Sequence, residues 1–113
     1  MHKLANAYKV LGQSAPAITT DTDVYTVPAA TEAVISTIII ANRAATAGTF
    51  KLSIRPDGAA ISNVHYIAFD VPIAANDSTT LTLGITLNAA DVVTINCSSA
   101  DMSVNVFGTE ITA

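Results

Sequence analysis

Charged side chains are scarce in this sequence. Its 113 residues include five basic and nine acidic ones, so that 12% of the chain is charged, against about a quarter in an average globular domain. Catalytic and metal-binding sites bring several acids, bases or metal ligands into one cleft, and these groups are thinly scattered along this chain. We therefore expect a protein that is not an enzyme and that carries no metal and no cofactor.

Tryptophan is absent, cysteine occurs once, and the other aromatic residues are three tyrosines and three phenylalanines. The single Cys97 forms no disulfide within the chain, which agrees with folding in a reducing compartment. It lies on the alternating apolar face that it shares with Val93 and Ile95, so we expect a buried, unreactive thiol. The shortage of aromatic residues disfavours a carbohydrate-binding site, because β-sandwich lectins usually bind glycans on aromatic platforms.

Neither long apolar runs nor basic clusters occur. The isoleucine-rich run at residues 38–41 is far shorter than the ~20 apolar residues that cross a bilayer, and the first residues lack the apolar segment of a secretory signal. The net charge is −4 and the basic residues are spread over the chain, which gives no footprint for a phosphate backbone. We expect no nucleic-acid partner, no membrane partner, and synthesis in a cytoplasm.

What the chain does contain is a recurring alternation of apolar and polar residues, interrupted about every twelve residues by Pro, Gly, Asn or Asp. This spacing is typical of an all-β sandwich or barrel, and no segment shows the 3.6-residue apolar period of a helix. We predict an antiparallel β-sandwich of about eight strands, of jelly-roll or Greek-key type, forming a single domain over residues 1–113. The predicted strands are residues 8–11, 23–27, 34–43, 49–55, 64–71, 79–87, 92–97 and 102–107.

Two of these strands predict which side chains face the core. In residues 49–55, Phe50, Leu52 and Ile54 alternate with polar residues and should point inward. In residues 79–87 the inward set is Leu81, Leu83, Ile85 and Leu87, with threonines on the other face. Each of these strands therefore has one core face and one solvated face.

Two other segments have a different pattern. Residues 38–40 are all isoleucine and supply apolar side chains to both faces of their strand, which predicts a central strand or one whose outer face meets a partner. Residues 12–22 are polar and contain Pro16, which predicts a loop or an extended arm. Residues 1–22 would then partly form an arm that orders on docking.

Few residues suggest chemistry, and each has a simpler interpretation. His65 would act as a base together with Asp70, or it is a strand histidine at the surface or at a subunit contact. Asp21 and Asp23 form a D-x-D pair that would hold calcium only with further oxygen ligands, or they belong to a solvated loop with Asx turns. We expect the simpler interpretation in both cases.

Six segments spread over nearly the whole chain carry a family resemblance. They are residues 23–29 (DVYTVPA), 36–43 (STIIIANR), 50–56 (FKLSIRP), 65–70 (HYIAFD), 81–87 (LTLGITL) and 91–95 (DVVTI). In these segments the chain resembles small virion structural proteins of tailed bacteriophages. The shared patterns are strands and turns rather than catalytic signatures, so the resemblance bears on fold and role and not on a reaction.

The resemblance implies a β-sandwich subunit that decorates or cements a capsid lattice as a dimer or trimer. Its partner would be the major capsid protein or another virion protein, and its location would be the virion, after synthesis in the host cytoplasm. A tail, neck or fibre component is the alternative, and a carbohydrate-binding β-sandwich module is a second alternative. A charge-poor exterior rich in threonine and alanine agrees with permanent packing against neighbouring subunits.

Five residues are candidates for interface contacts. Arg43 and Arg55 follow alternating strands, and arginine is enriched at binding hot spots, although strand-end solubility is the alternative explanation. Tyr25, Tyr66 and Phe69 are either core aromatics or subunit contacts. We expect the functional surface on exposed strands and turns rather than in a pocket.

Overall fold

The computed structural model describes residues 5–112. The eight strands are β1 (Ala5–Ser14), β2 (Thr22–Thr26), β3 (Thr31–Asn42), β4 (Gly48–Arg55), β5 (Tyr66–Ile73), β6 (Ser78–Leu87), β7 (Val92–Cys97) and β8 (Met102–Thr112). Two 3-10 turns, Pro56–Gly58 and Asn63–His65, lie between β4 and β5. Each strand predicted from the alternation of apolar and polar residues is present, and several of them are longer than predicted.

The strands form two antiparallel four-stranded sheets. Sheet I has the order β1-β8-β3-β6, and sheet II has the order β2-β7-β4-β5. This is the strand order of a jelly roll, the eight-stranded double-sheet architecture built from two Greek keys. The predicted all-β antiparallel sandwich is therefore confirmed, and its topology is that of a jelly roll.

The core lies between the two sheets and is filled mainly from their central strands. These strands are β8 and β3 in sheet I and β7 and β4 in sheet II. The largest fully buried side chains are Phe50, Ile35, Ile38, Ile40, Leu52, Ile73, Ile95, Met102, Val27, Val93, Val104 and Val106. Burying each large aliphatic or aromatic side chain stabilises the fold by about 1.5–3 kcal/mol. The isoleucines of β3 thus mark a central strand, as the sequence predicts.

A row of bulges crosses sheet I. The register of β1 against β8 shifts between Val10 and Gly12, and the register of β3 against β8 shifts between Ile35 and Thr37. A bulge sets one residue of a strand aside from the ladder. In β3 that residue is Ser36, and the buried positions accordingly change from odd numbers before it to even numbers after it. In β3 the bulge therefore keeps the apolar side chains inward on both sides of the irregularity.

Glycines accompany this row and explain one wrong prediction. Leu83 and Gly84 of β6 lie opposite Ser36, and Gly84 adopts a φ of +62°, which favours glycine. Gly108 of β8 lies so close to the Val34 carbonyl that a Cβ has no space there. Leu83 was predicted to face the core, and this is wrong: its side chain is 43% exposed, because the bulge at Gly84 turns it outward. Its strand neighbours Leu81, Ile85 and Leu87 do pack against the core.

Several strand boundaries differ from the sequence prediction. Residues 12–14, predicted as part of a loop or arm, pair with β8, and Thr22 opens β2, so the connection is residues 15–21. His65 lies in a 3-10 turn and not in the following strand. Pro72, the residue that follows the predicted strand 64–71, lies inside β5, an edge strand in which a missing N–H is tolerated. The first residues of the predicted arm, 1–4, lie outside the described residues.

No helix within residues 5–112 has both the length and the apolar character required to traverse a bilayer.

Candidate interaction surface

His65 and Asp70, the two residues considered for catalysis, form polar contacts with other residues and not with each other. The Nδ1 atom of His65 accepts a hydrogen bond of 3.1 Å from the Ser62 backbone N–H and so closes the Asn63–His65 turn. The carboxylate of Asp70 forms an ion pair with Lys51. No hydrogen bond between His65 and Asp70 is present among the described residues. In this arrangement the histidine shapes the turn that leads into β5.

The D-x-D pair belongs to a polar network on the outer face of sheet II. One oxygen of Asp23 accepts hydrogen bonds from the Arg55 guanidinium (2.8 Å) and the Thr94 hydroxyl (3.0 Å). Asp21 accepts a hydrogen bond of 2.9 Å from the Asn96 side-chain amide. These bonds tie β2, β7 and β4 together. Across residues 5–112, no three His, Cys, Asp or Glu side chains are grouped closely enough to hold a metal ion.

A cavity of about 220 Å³ adjoins this network, lined by Asp21, Asp23, Arg55, Ile61 and Thr94. The guanidinium of Arg55 is committed on all three nitrogens: Nε donates to Thr94, Nη2 to Asp23, and Nη1 to the carbonyls of Gly58 and Ala59. Four of its five N–H donors are therefore used inside the chain, where they support the fold. Of the two candidate arginines, Arg55 is therefore a structural residue of sheet II.

Arg43 has a different environment. It is exposed, its Nε donates to the Ser103 hydroxyl at 2.9 Å, and its Nη2 lies 3.4 Å from the Ala100 carbonyl. These contacts fix the direction of the side chain beside the turn between β7 and β8. The guanidinium keeps donors available for contacts outside the chain.

A buried acidic residue joins the two sheets. The Tyr25 hydroxyl of β2 donates a 2.6 Å hydrogen bond to Glu110 of β8, and Lys9 of β1 forms an ion pair with the other carboxylate oxygen. The Lys9 ammonium, and then the Tyr25 hydroxyl, hold the pKa of Glu110 below its usual value. Burial, and then the neighbouring carboxylate, raise the pKa of Tyr25 well above its usual value.

The triad of Lys9, Tyr25 and Glu110 shows where the candidate residue Tyr25 lies, and it includes Glu110, which was not a candidate. Tyr25 was considered either a core or a contact aromatic, and it lies in the core. Sequence reasoning missed Glu110. A signal was present, because Met102, Val104 and Val106 place the inward face of β8 on even numbers, and Glu110 continues that series.

Cys97 is buried in the core, and burial raises the pKa of its thiol to about 11. A thiol with so high a pKa carries almost no thiolate at neutral pH. The predicted burial of Cys97 is confirmed, and its raised pKa agrees with an unreactive thiol.

The remaining candidates, Tyr66 and Phe69, come together on the surface. Their rings meet edge to face with centroids 4.9 Å apart, and the Lys51 ammonium lies 4.7 Å from the centre of the Phe69 ring. Val64 and Ile67, which are close to them in the sequence, are also exposed, with Val64 at 86% and Phe69 at 57%. We call these four apolar residues, Val64, Tyr66, Ile67 and Phe69, the β5 patch. Sequence reasoning missed Val64 and Ile67, although the run from Tyr66 to Phe69 is apolar at every position.

A second apolar surface lies on the outer face of sheet I. Tyr8 and Val10 of β1 are exposed there, and with Phe107 of β8 they line a shallow groove. We call this surface the sheet I groove. Within residues 5–112, most of the exposed large apolar side chains therefore belong to the β5 patch or the sheet I groove, and Ile18 and Leu83 lie outside both. Concentrated apolar surface of this kind is typical of interaction sites.

No protein-family model matches this sequence, and no curated protein matches it. Among solved structures, the chain is similar to one chain in the structure of infectious bursal disease virus, Gx strain, with 13% sequence identity and a TM-score of 0.48. The match covers 97% of this chain and 33% of that chain, so this protein spans about a third of the length of its structural neighbour. The function is therefore argued from the residues of this chain.

Proposed function

We propose that this protein is a non-enzymatic structural component of a tailed-bacteriophage virion, a decoration or cement subunit that binds the assembled capsid as an oligomer. The observation that carries the proposal is the distribution of its side chains. The buried and half-buried polar groups are bonded to one another, as in the Tyr25, Glu110 and Arg55 networks, whereas large apolar groups remain on the outer faces. The resemblance of its strand segments to small phage virion proteins supports the same role.

The β5 patch is the surface proposed to contact the capsid. Phe69 is an exposed aromatic side chain with an apolar neighbour, Ile67, on the same strand, and the charged pair Lys51 and Asp70 borders it. An aromatic centre with a polar border is the usual composition of a binding hot spot. Arg43 provides a further exposed donor elsewhere on the surface, while Tyr25 and Arg55 support the fold.

The physical effect of such a subunit is stabilisation by mass action. A protein that binds the assembled lattice and not the separated capsid subunits adds its binding free energy to the cost of disassembly. At a free concentration one hundred times the Kd, this amounts to about 2.7 kcal/mol for each site. The stabilisation requires no chemical step, only an interface that exists after assembly.

The test uses particles that lack the protein, to which purified protein is added back before heating. The wild-type chain should restore genome retention, and Phe69→Ser should not restore it, because the substitution removes the aromatic centre of the β5 patch. Ile18→Ser is the matched control, since Ile18 is 56% exposed, almost as much as Phe69, but lies outside the patch. Genome loss that is the same with and without the wild-type protein would reject the cement role.

Labelling the protein on intact particles distinguishes a location on the head from a location on the tail. Label over the capsid surface supports decoration of the head. Label confined to the tail or neck would replace decoration by the alternative role of a tail component.

A further inference from the structure

The four sheet edges differ in how they are protected against pairing with another chain. An edge strand exposes unpaired N–H and C=O groups, and proteins block such edges with charged residues, prolines, bulges or very short strands. In sheet II, β2 has only five residues and contains Asp23, and β5 contains Asp70 and Pro72. In sheet I, β1 contains Lys9. Each of these three edges carries at least one of the protective features.

The fourth edge, β6, carries only a bulge, and that bulge lies in its second half. Its ten residues, Ser78–Leu87, include no charged residue and no proline. From Ser78 to Thr82 the strand pairs with β3 without any shift in register, and the bulge comes only at Leu83 and Gly84. One side of the regular stretch is exposed through Ser78, Thr80 and Thr82. This half of β6 is therefore a regular, neutral strand edge.

We propose that β6 pairs antiparallel with β6 of a second copy of this chain, about a two-fold axis at Thr80, so that two copies of sheet I form one eight-stranded sheet. Such an axis places Thr80 opposite Thr80, Ser78 opposite Thr82, and Thr79 opposite Leu81. Every pair is neutral, and opposed threonines are favourable cross-strand neighbours. A two-fold contact uses the same surface on both copies, and this stretch is compatible with itself.

Charge at this edge is compatible with a second copy as its occupant. Each chain carries a net charge of −4, so two chains repel each other wherever their acidic surfaces meet. The five residues from Ser78 to Thr82 bring two backbones together without placing like charges opposite each other. Pairing also covers the half-buried Leu81 at the open side of the sandwich. Free subunits form this dimer, so it does not require the virion role; if that role is correct, β6 is the self-contact of the oligomer.

The first experiment measures the mass of the full-length protein in solution over a range of concentrations, by sedimentation equilibrium. The wild-type chain of 11.6 kDa should form a dimer. Thr80→Lys places two ammonium groups opposite each other and should weaken the dimer about fivefold or more. Asn6→Lys adds the same charge to an exposed position of β1, the other edge of sheet I, and should leave the dimer unchanged. Matching melting curves would show that both variants are folded.

The second experiment locates the axis. In the wild-type background, where Cys97 is buried, Thr80→Cys should give a disulfide-linked dimer on mild oxidation, because residues opposed across antiparallel strands come within reach of a disulfide. Asn6→Cys should give none.

A wild-type chain that stays monomeric would overturn the proposal, and so would a dimer that is insensitive to Thr80→Lys and gives no Thr80 cross-link. A monomer whose Thr80→Lys variant loses binding to particles would assign the β6 edge to another virion protein, which also overturns self-pairing. Neither experiment involves capsids, so failure of the dimer is distinct from failure of the decoration role tested through Phe69.

Discussion

The buried hydrogen bond between Tyr25 and Glu110 should contribute measurably to stability, and Tyr25→Phe removes it with the least other change. The substitution deletes the hydroxyl, keeps the ring in the core, and leaves the carboxylate paired with Lys9. A hydrogen bond to a charged group contributes about 1.5–3 kcal/mol. For a domain of about this size, each kcal/mol corresponds to roughly 4 °C in Tm, so a fall of about 6–12 °C is expected.

The same triad predicts how stability depends on pH. Because Lys9 and Tyr25 lower the pKa of Glu110 in the folded state, unfolding in acid is accompanied by proton uptake at this group. Its contribution is complete above the pKa of an unfolded glutamate, about 4.3, and is lost as the pH falls through the lower folded value. Tyr25 acts in the opposite direction: its raised pKa favours the neutral form, so its contribution is lost as the pH rises above its unfolded value of about 10.

Urea denaturation of the wild type, Tyr25→Phe and Glu110→Gln, measured at pH 7 and pH 3, tests the contribution of the buried bond and the loss of the Glu110 contribution in acid. The wild type should lose more free energy of unfolding between the two pH values than Glu110→Gln does. Tyr66→Phe is the matched control, because no hydrogen bond of the Tyr66 hydroxyl is present among the described residues, and it should be nearly neutral. Equal losses for Tyr25→Phe and Tyr66→Phe would refute the role of the buried bond.

Two further predictions concern the core and the bulges. Leu52→Asp should unfold the protein, since an unpaired buried carboxylate costs several kcal/mol of a total free energy of unfolding of about 5–15 kcal/mol. Leu83→Asp at its exposed site should cost less than about 1 kcal/mol. Melting curves that rank the two variants equally would contradict the outward direction of Leu83. Gly108→Ala should cost about 1–3 kcal/mol or more because its Cβ meets the Val34 carbonyl, and Gly84→Ala about 1 kcal/mol because of its positive φ. Urea denaturation compares the two, and a larger loss at Gly84 would contradict the close packing at Gly108.

The strands were predictable because alternation and turn residues act locally. Phe50 and Leu52 face the core as their spacing predicts, and the isoleucines at residues 38–40 mark a central strand. The direction of Leu83 was not predictable from spacing, because it depends on a bulge opposite Ser36, and bulges depend on how neighbouring strands meet.

The candidate surface was predictable only in part. Tyr66 and Phe69 are close in the sequence and on the same strand, so their contact follows from local structure. The hydrogen bonds of Arg55 and Tyr25 are made with Thr94 and Glu110, which are far away in the sequence. These pairings cannot be predicted from a single sequence. The exposure of the β6 edge is likewise a property of strand order, which only the assembled sheets define.

The bulge at Ser36 has a consequence for how the length of this chain can vary. Ile35 and Ile38 both face the core although they are three residues apart, because Ser36 takes no part in the ladder with β8. A chain shortened by this one serine would keep each isoleucine on its present side and would run straighter beside β8. Insertions and deletions are ordinarily confined to loops, whereas this protein has a position for a one-residue change inside a central strand.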